Sequence, residues 1–267
     1  MLFRSNAMLR AMARVHLAGA YDLVLAGNYR YESPSVYDGS VLAKDAAAGR
    51  VLGLQPLNLV MAAGGVIYDT RDNEYFPHDG SYHQVGLRGI EGIPFGADVR
   101  YAAVGAVFAI YRRLGGPFVF AARGLVDAQF GNVPFYDLYM GGPFNQDQMI
   151  GGSAAVRGVP EGRYLGKLKV IGNAELRAFF SRFHVFGQLF QIGGDLLVDA
   201  GHTWIDYTFS NPADGTGLGV HWGAGGGLYL RWGQAGVFRI EAAYSPDAVS
   251  ENPSFPIGFY VNDNVMF

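Results

Sequence analysis

A chain of 267 residues that is half hydrophobic, with 39 glycines, 14% aromatics, 16% charge and a net charge of −3, suits many strands, tight turns and an apolar surface, since charge usually stands at about 25%. It offers no linker on which to divide it, no basic stripe that would call for nucleic acid, and no run of about 18 uncharged apolar residues that would make a transmembrane helix. The absence of cysteine excludes disulfides and thiolate-held metals.

Along the first twenty residues, Arg4, Arg10, Arg14 and His16 interrupt any hydrophobic signal core. Either the chain is not exported, or Met1 is not the natural start. Met8 to Ala18 then alternates, with Arg10, Met12, Arg14 and His16 opposed to Leu9, Ala11, Ala13, Val15 and Leu17. Asp22 to Glu32 repeats the pattern, setting Asp22, Asn28, Arg30 and Glu32 against Leu23, Leu25, Tyr29 and Tyr31. Only Gly19, Ala20 and Tyr21 intervene, so the pair predicts a hairpin.

From Pro34 to Arg50 the periodicity lapses and a loop is expected. Leu57 to Thr70 alternates weakly, with Asn58 as its polar inward candidate. Asp69, Thr70, Arg71, Asp72, Asn73 and Glu74, followed by Pro77 and Gly80, form a dense turn signal, and Ser81 to Arg88 returns as the partner strand. Val99 to Arg112 is nearly all apolar and fits a buried strand or a short helix. Its neighbour Phe118 to Phe130 alternates clearly, with Arg123, Asp127 and Gln129 on one face, which favours the strand. A long loop, Gly131 to Gly166, follows and carries Gly151, Gly152, Val156, Arg157 and Gly158.

The stretch from Leu168 to Phe180 is the most regular. Its even positions are apolar or small, while Lys169, Asn173, Glu175 and Arg177 share the opposite face. On the next segment Gln191, Asp195 and Asp199 share one parity. After a polar loop from Ile205 to Gly217, His221 to Trp232 sets Tyr229 and Arg231 opposite Trp222, Leu228 and Trp232. Val237 to Ser245 sets Arg239 and Glu241 opposite Phe238, Ile240 and Tyr244. At the end of the chain Phe259, Val261, Val265 and Phe267 fall on one parity.

This makes roughly eleven strands, most about as long as a membrane-crossing strand, joined by alternating short and long connections. Alternating strands also build soluble sandwiches, but a sandwich exposes a polar face rich in Lys and Glu. Here that face is mostly Gly, Asn, Gln, Tyr and a few charges of both signs, and aromatics gather near strand ends. The expected fold class is all-β, an antiparallel transmembrane β-barrel.

The Val156-Arg157-Gly158 loop after Gly151-Gly152, the Glu175 and Asp199 strands, the Tyr68 to Gly80 turn and the terminal Phe267 together resemble the bacterial surface antigen barrels, the superfamily of outer-membrane assembly and two-partner-secretion translocators. The resemblance covers most of the chain in the family's order. It implies a barrel of about sixteen strands whose long loop folds back into the lumen, its arginine meeting acidic residues of the inner wall. Parity already places Glu175 and Asp199 on the polar face, so Arg157 is expected to pair with Asp199, Glu175 or both. The resemblance further implies a periplasmic turn at Asp69, Arg71, Asp72, Pro77 and Gly80, and a C-terminal export signal at Phe259, Val261, Val265 and Phe267. Two departures stand out: Val159 follows Arg-Gly where the family has Phe or Tyr, and Asp263 falls on the outward parity of the last strand. Residues 1–267 are thus expected to be one barrel domain that is N-terminally incomplete, lacking roughly five strands.

Plainer readings apply to several of these residues. Asp69, Arg71 and Asp72 could form a carboxylate cluster but suit a polar turn better. Gly223 to Gly227 lacks the lysine of a phosphate loop. His16, His78, His83, His184, His202 and His221 show no metal-ligand spacing, and no Gly-x-Ser-x-Gly element is present. No enzyme, cofactor or metal is expected. The expected partners are outer-membrane lipid, the barrel-assembly machinery and substrate polypeptides at the bacterial outer membrane. The alternatives are the membrane anchor of a larger protein such as a patatin-like lipase, and a passive diffusion pore.

Overall fold

The computed structural model describes residues 3–144, 147–208, 219–233, 236–250, 252–263 and 267. Eleven long strands follow one another in a single antiparallel sheet: β1 (Phe3–Ala18), β2 (Tyr21–Ser35), β3 (Leu57–Asp69), β4 (Gly80–Ile93), β5 (Arg100–Gly115), β6 (Phe118–Asn132), β9 (Leu168–Val185), β10 (Gln188–Trp204), β11 (His221–Trp232), β12 (Gly236–Tyr244) and β13 (Ile257–Asn262). Between β6 and β9 lie a two-stranded ribbon, β7 (Met140–Gly141) with β8 (Asp147–Gln148), and a 3-10 turn at Phe135–Asp137. The strands β1 and β13 stand at the two ends of the sheet order.

The period of two in the sequence becomes an inside and an outside with inverted polarity. Arg88, Lys169, Glu175, Arg177, Asp199, Arg239 and Glu241 are all at most 2% exposed, whereas Leu9, Phe180, Leu196 and Leu228 are more than 60% exposed. A water-soluble fold would bury the second set. A lipid-facing barrel wall does the reverse, because strand backbones are satisfied by their neighbours and only apolar side chains can meet acyl chains.

The sheet wraps around a filled interior. Phe76, in the connection between β3 and β4, packs beneath Phe179 of β9 and Tyr229 of β11, with ring centroids 5.0 and 5.3 Å away. Most short connections lie at one end (19–20, 116–117, 186–187, 233–235), and the longer ones at the other (36–56, 133–167, 205–220, 245–256). The pattern is not strict: the connection 70–79 at the short-turn end is longer than 94–99 at the other.

Three expectations need correction. The stretch from Pro34 to Arg50 is not all loop. Residues Val41–Ala47 form a helix, α1, whose first turn is capped by the Ser40 hydroxyl accepting from the Ala43 amide at 3.1 Å. The alanines tolerate helix, and Leu42 packs on a cluster of Leu59, Met61, Ile90, Tyr101 and Tyr136 that closes the long-loop end. Asn58 does not point inward. The inward residues of β3 are Leu59, Met61 and Ile67, while Asn58 accepts a hydrogen bond from the Tyr29 hydroxyl at 2.9 Å. The partner strand β4 is longer than Ser81 to Arg88, pairing with β3 from Tyr82 to Ile93.

Candidate functional site

The segment from Val133 to Lys167 runs into the interior and is held at two levels. Near the long-loop end, Asp137 accepts from Arg30 of β2 and, at 2.8 Å, from the Tyr101 hydroxyl of β5. Deeper in, Gly151 and Gly152 turn the chain at positive φ, and the Gly152 amide donates to the Val159 carbonyl at 3.1 Å. Val156 and Val159 are buried with Leu125, Met149, Ile150, Ala155 and Ile171. Val159, which follows Arg-Gly, is thus part of an apolar cluster.

Arg157 projects from this knot and is completely buried. Its Nε and Nη2 grip Asp199 of β10 as a fork, at 2.7 Å to Oδ2 and 3.0 Å to Oδ1, and its own amide adds a third bond to Oδ2 at 3.0 Å. Nη1 donates to Glu175 Oε1 of β9 and to Glu241 Oε1 of β12, each at 2.6 Å. The planar guanidinium suits this, since it presents several donors at fixed angles and stays charged. Neighbours complete the network: Asn173 Nδ2 donates to Asp199 Oδ1 at 2.8 Å, Arg177 Nε to Glu175 Oε2 at 2.7 Å, and Arg239 Nε lies 3.2 Å from Glu241 Oε2. Glu175, Asp195 and Glu241 bring ligand atoms within 4.8 Å of one another, and the guanidiniums of Arg157, Arg177 and Arg239 lie among them as counter-charges.

Sequence reasoning put Glu175 and Asp199 on the right face but left Glu241 out of the group. The available signal was the alternation of Arg239 and Glu241 on the polar parity of β12. Asp137 gave no signal, because it lies in a loop without periodicity.

The knot also touches the last strand. The Gly158 amide donates to the Tyr260 hydroxyl of β13 at 2.7 Å. Gly158 has φ of 89°, and a Cβ there would sit 2.9 Å from the Tyr244 carbonyl, so glycine alone fits. Tyr260→Phe is expected to lower the stability of the folded barrel by about 1 kcal/mol, the usual net worth of one hydrogen bond. The check is the midpoint of the heat-dependent mobility shift in detergent, and an unchanged midpoint would mean that water replaces the hydroxyl.

At the short-turn end, Arg71 grips Asp69 as a fork at 2.9 and 2.8 Å. Asp72 Oδ1 accepts from the amides of His78 and Asp79 at 2.8 and 3.1 Å, and Asn73 Oδ1 from those of Tyr75 and Phe76. Pro77 is buried beside Phe76, and Gly80 has φ of 101°. These groups bond to one another and to the local backbone, as a built turn does.

The terminal residues divide. Phe259 and Val261 are each 65% exposed on the outer face, and Val265 lies outside the described residues. Phe267 does not share their face. Its ring stands 5.3 Å from the Arg177 guanidinium and 5.1 Å from that of Arg123, and its carbonyl accepts from Arg177 at 3.0 Å. The strand ends at Asn262, so parity no longer governs Phe267 or Asp263, which lies in a bend.

Compared with known proteins, the chain matches the Omp85 superfamily domain over residues 7–255. Its fold is similar to the crystal structure of BamA from Haemophilus ducreyi lacking POTRA domains 1–3, with a TM-score of 0.63 and 17% identity, covering 91% of this chain and 50% of that one. The chain therefore spans about half the length of that structure. No curated protein matches it in sequence.

Proposed function

This chain belongs to the Omp85 superfamily and is an outer-membrane β-barrel protein, and from that premise we propose that it helps insert polypeptides into the outer membrane or pass them across it. The observation that carries the reading is the Arg157 cluster. One loop residue is ion-paired to three strands, β9, β10 and β12, at full burial, which supports a latch that holds the loop in one place inside the lumen. A buried charge network is weak support for net stability and better suited to specifying one conformation. In the same reading the short-turn end faces the periplasm, Phe259 and Val261 serve the export signal, and assembly machinery and substrate polypeptides are the partners.

A short last strand fits the reading as well. Six residues of β13 pair with β12, whereas β1 and β2 pair along nearly their whole length, so the edge at β13 is the easier one to open.

The test is reconstitution into liposomes with an unfolded outer-membrane barrel as substrate. Faster insertion in the presence of the chain, lost with Arg157→Ala, is the expected result. Equal rates with and without the chain would sink the proposal. Planar-bilayer conductance separates the pore reading: removing Met149 to Arg163 should raise a low conductance, and a large steady conductance of the unaltered chain would favour a pore.

A further inference from the structure

A second charged cluster stands at the mouth of the barrel on the short-turn side, and a slip in one strand creates it. The ladder between β6 and β9 ends at Phe118 opposite Ala178, yet β9 continues to Val185. Against β10 the register shifts: Ile192 pairs with Ser181 and Gly193 with Phe179, leaving Phe180 as an extra residue. One extra residue reverses which side chains point inward. Up to Phe179 the odd-numbered residues of β9 face the interior. Beyond the slip Arg182, exposed at the mouth, shares the face of Gln191 of β10 directly opposite it, which in turn pairs with Arg231 of β11. Phe183, Phe190 and Trp232 take the other face and stack across the same three strands, their centroids 5.7 and 6.0 Å apart.

The charges are lopsided. Gln191 is 8% exposed, and its amide can turn its oxygen to Arg231 Nη1 at 3.3 Å or to Arg182 Nη2 and Nε at 3.0 and 3.1 Å, but not to both at once. Arg113, His78 and Ser181 line the same cleft of about 310 Å³ with Arg182 and Gln191. Asp72 lies beside it, 3.6 Å from Arg113 and 3.4 Å from His78. Arg113 at this cleft thus already meets a carboxylate of its own chain.

We infer that this mouth binds acidic stretches of polypeptide, their carboxylates seated on the Arg182 and Arg231 guanidiniums. Forked donors recognise carboxylate with directional bonds, and a patch of one sign draws an oppositely charged chain from a distance. Lipid headgroups fit less well, because the aromatic row of Phe183, Phe190 and Trp232 lies between the arginines and the bilayer. The inference rests on the proposed handling of polypeptides and names the kind of segment that would arrive first.

The experiment uses the full chain in nonionic detergent micelles with a fluorescein-labelled oligoglutamate peptide, read by anisotropy. Binding is expected and should weaken with salt. Arg182→Gln with Arg231→Gln should lower affinity by about tenfold or more, while Arg50→Gln at the opposite end leaves it unchanged. The Arg182→Lys and Arg231→Lys pair keeps the charge, and with native gel mobility it should retain much of the binding even where the glutamine pair folds poorly. Unchanged binding in a folded glutamine variant would overturn the inference. So would displacement of the peptide by phosphatidylglycerol in the micelle as readily as by unlabelled oligoglutamate, which would make this a lipid site. A chain that binds oligoglutamate yet does not speed insertion into liposomes would keep the mouth site and lose the proposed function, and the reverse outcome would remove the site alone.

Discussion

Arg157→Ala is expected to lower the stability of the barrel by about 3–5 kcal/mol, because it strands buried carboxylates that have lost their shared counter-charge. Glu175, Asp199 and Glu241 are each at most 1% exposed, so water cannot replace the guanidinium without opening the lumen. Glu175 and Glu241 keep partial compensation from Arg177 and Arg239, whereas Asp199 keeps only Asn173 among the side-chain donors named above. The group most exposed to the loss is therefore Asp199. Adding Asp199→Ala to Arg157→Ala should cost about 2 kcal/mol less than Asp199→Ala costs alone, since residues in one network do not contribute independently. Arg157→Lys should fall between wild type and alanine, because a lysine supplies the charge but not the fork. Midpoints of the heat-dependent gel shift in detergent measure all four variants. Additive small effects would mean that the cluster does not act as a unit, and the latch would go with it.

The second large effect is expected at Gly223 on β11, which carries no charge and pairs with Asp199 of β10. A Cβ at Gly223 would fall on the Arg157 carbonyl oxygen, with the Tyr244 carbonyl 3.1 Å away. The clash is with backbone, and the backbone of Arg157 is pinned by its own amide bond to Asp199. The loop must lift off the wall, so Gly223→Ala should cost about 3 kcal/mol, at the upper end of overpacking, and should weaken the Arg157 contacts with it. Gly124 and Gly172 face each other on β6 and β9 with open space where a Cβ would go. Alanine at either should change stability by no more than about 0.5 kcal/mol. If Gly223→Ala melts together with Gly172→Ala, the loop does not press on β11.

Both predictions depend on different parts of the physics, and the sequence exposed them unequally. Alternation along Leu168 to Phe180 and along Gln191 to Asp199 placed Glu175 and Asp199 on the inner face, because parity is a property of a few consecutive residues of extended chain. Strand order was equally accessible: each strand pairs with the one before it, apart from the loop that separates β6 from β9. The inverted polarity of the two faces pointed to lipid outside and water or loop inside, which is a matter of solvation rather than of shape.

Other features needed the tertiary structure. Glu241 lies 84 residues from Arg157, and it meets the guanidinium only because the sheet curls until β12 stands beside the same loop as β9 and β10. The contact of Gly223 with the Arg157 carbonyl has the same origin. One extra residue in a strand also had consequences that no pattern announced: the slip at Phe180 put Arg182 on the face of Gln191 and Phe183 on the face of Phe190. The helix at Val41–Ala47 formed because an apolar cluster was available to pack against, and Phe267 left the outer parity because its strand had already ended. The sequence by itself determined which side chains share a face along most of each regular strand, since that is decided residue by residue, and it missed the face of Asn58 and the slip at Phe180. Only the tertiary structure decided which inward groups meet, since curvature is the sum of small twists over all eleven strands and is set by none of them alone.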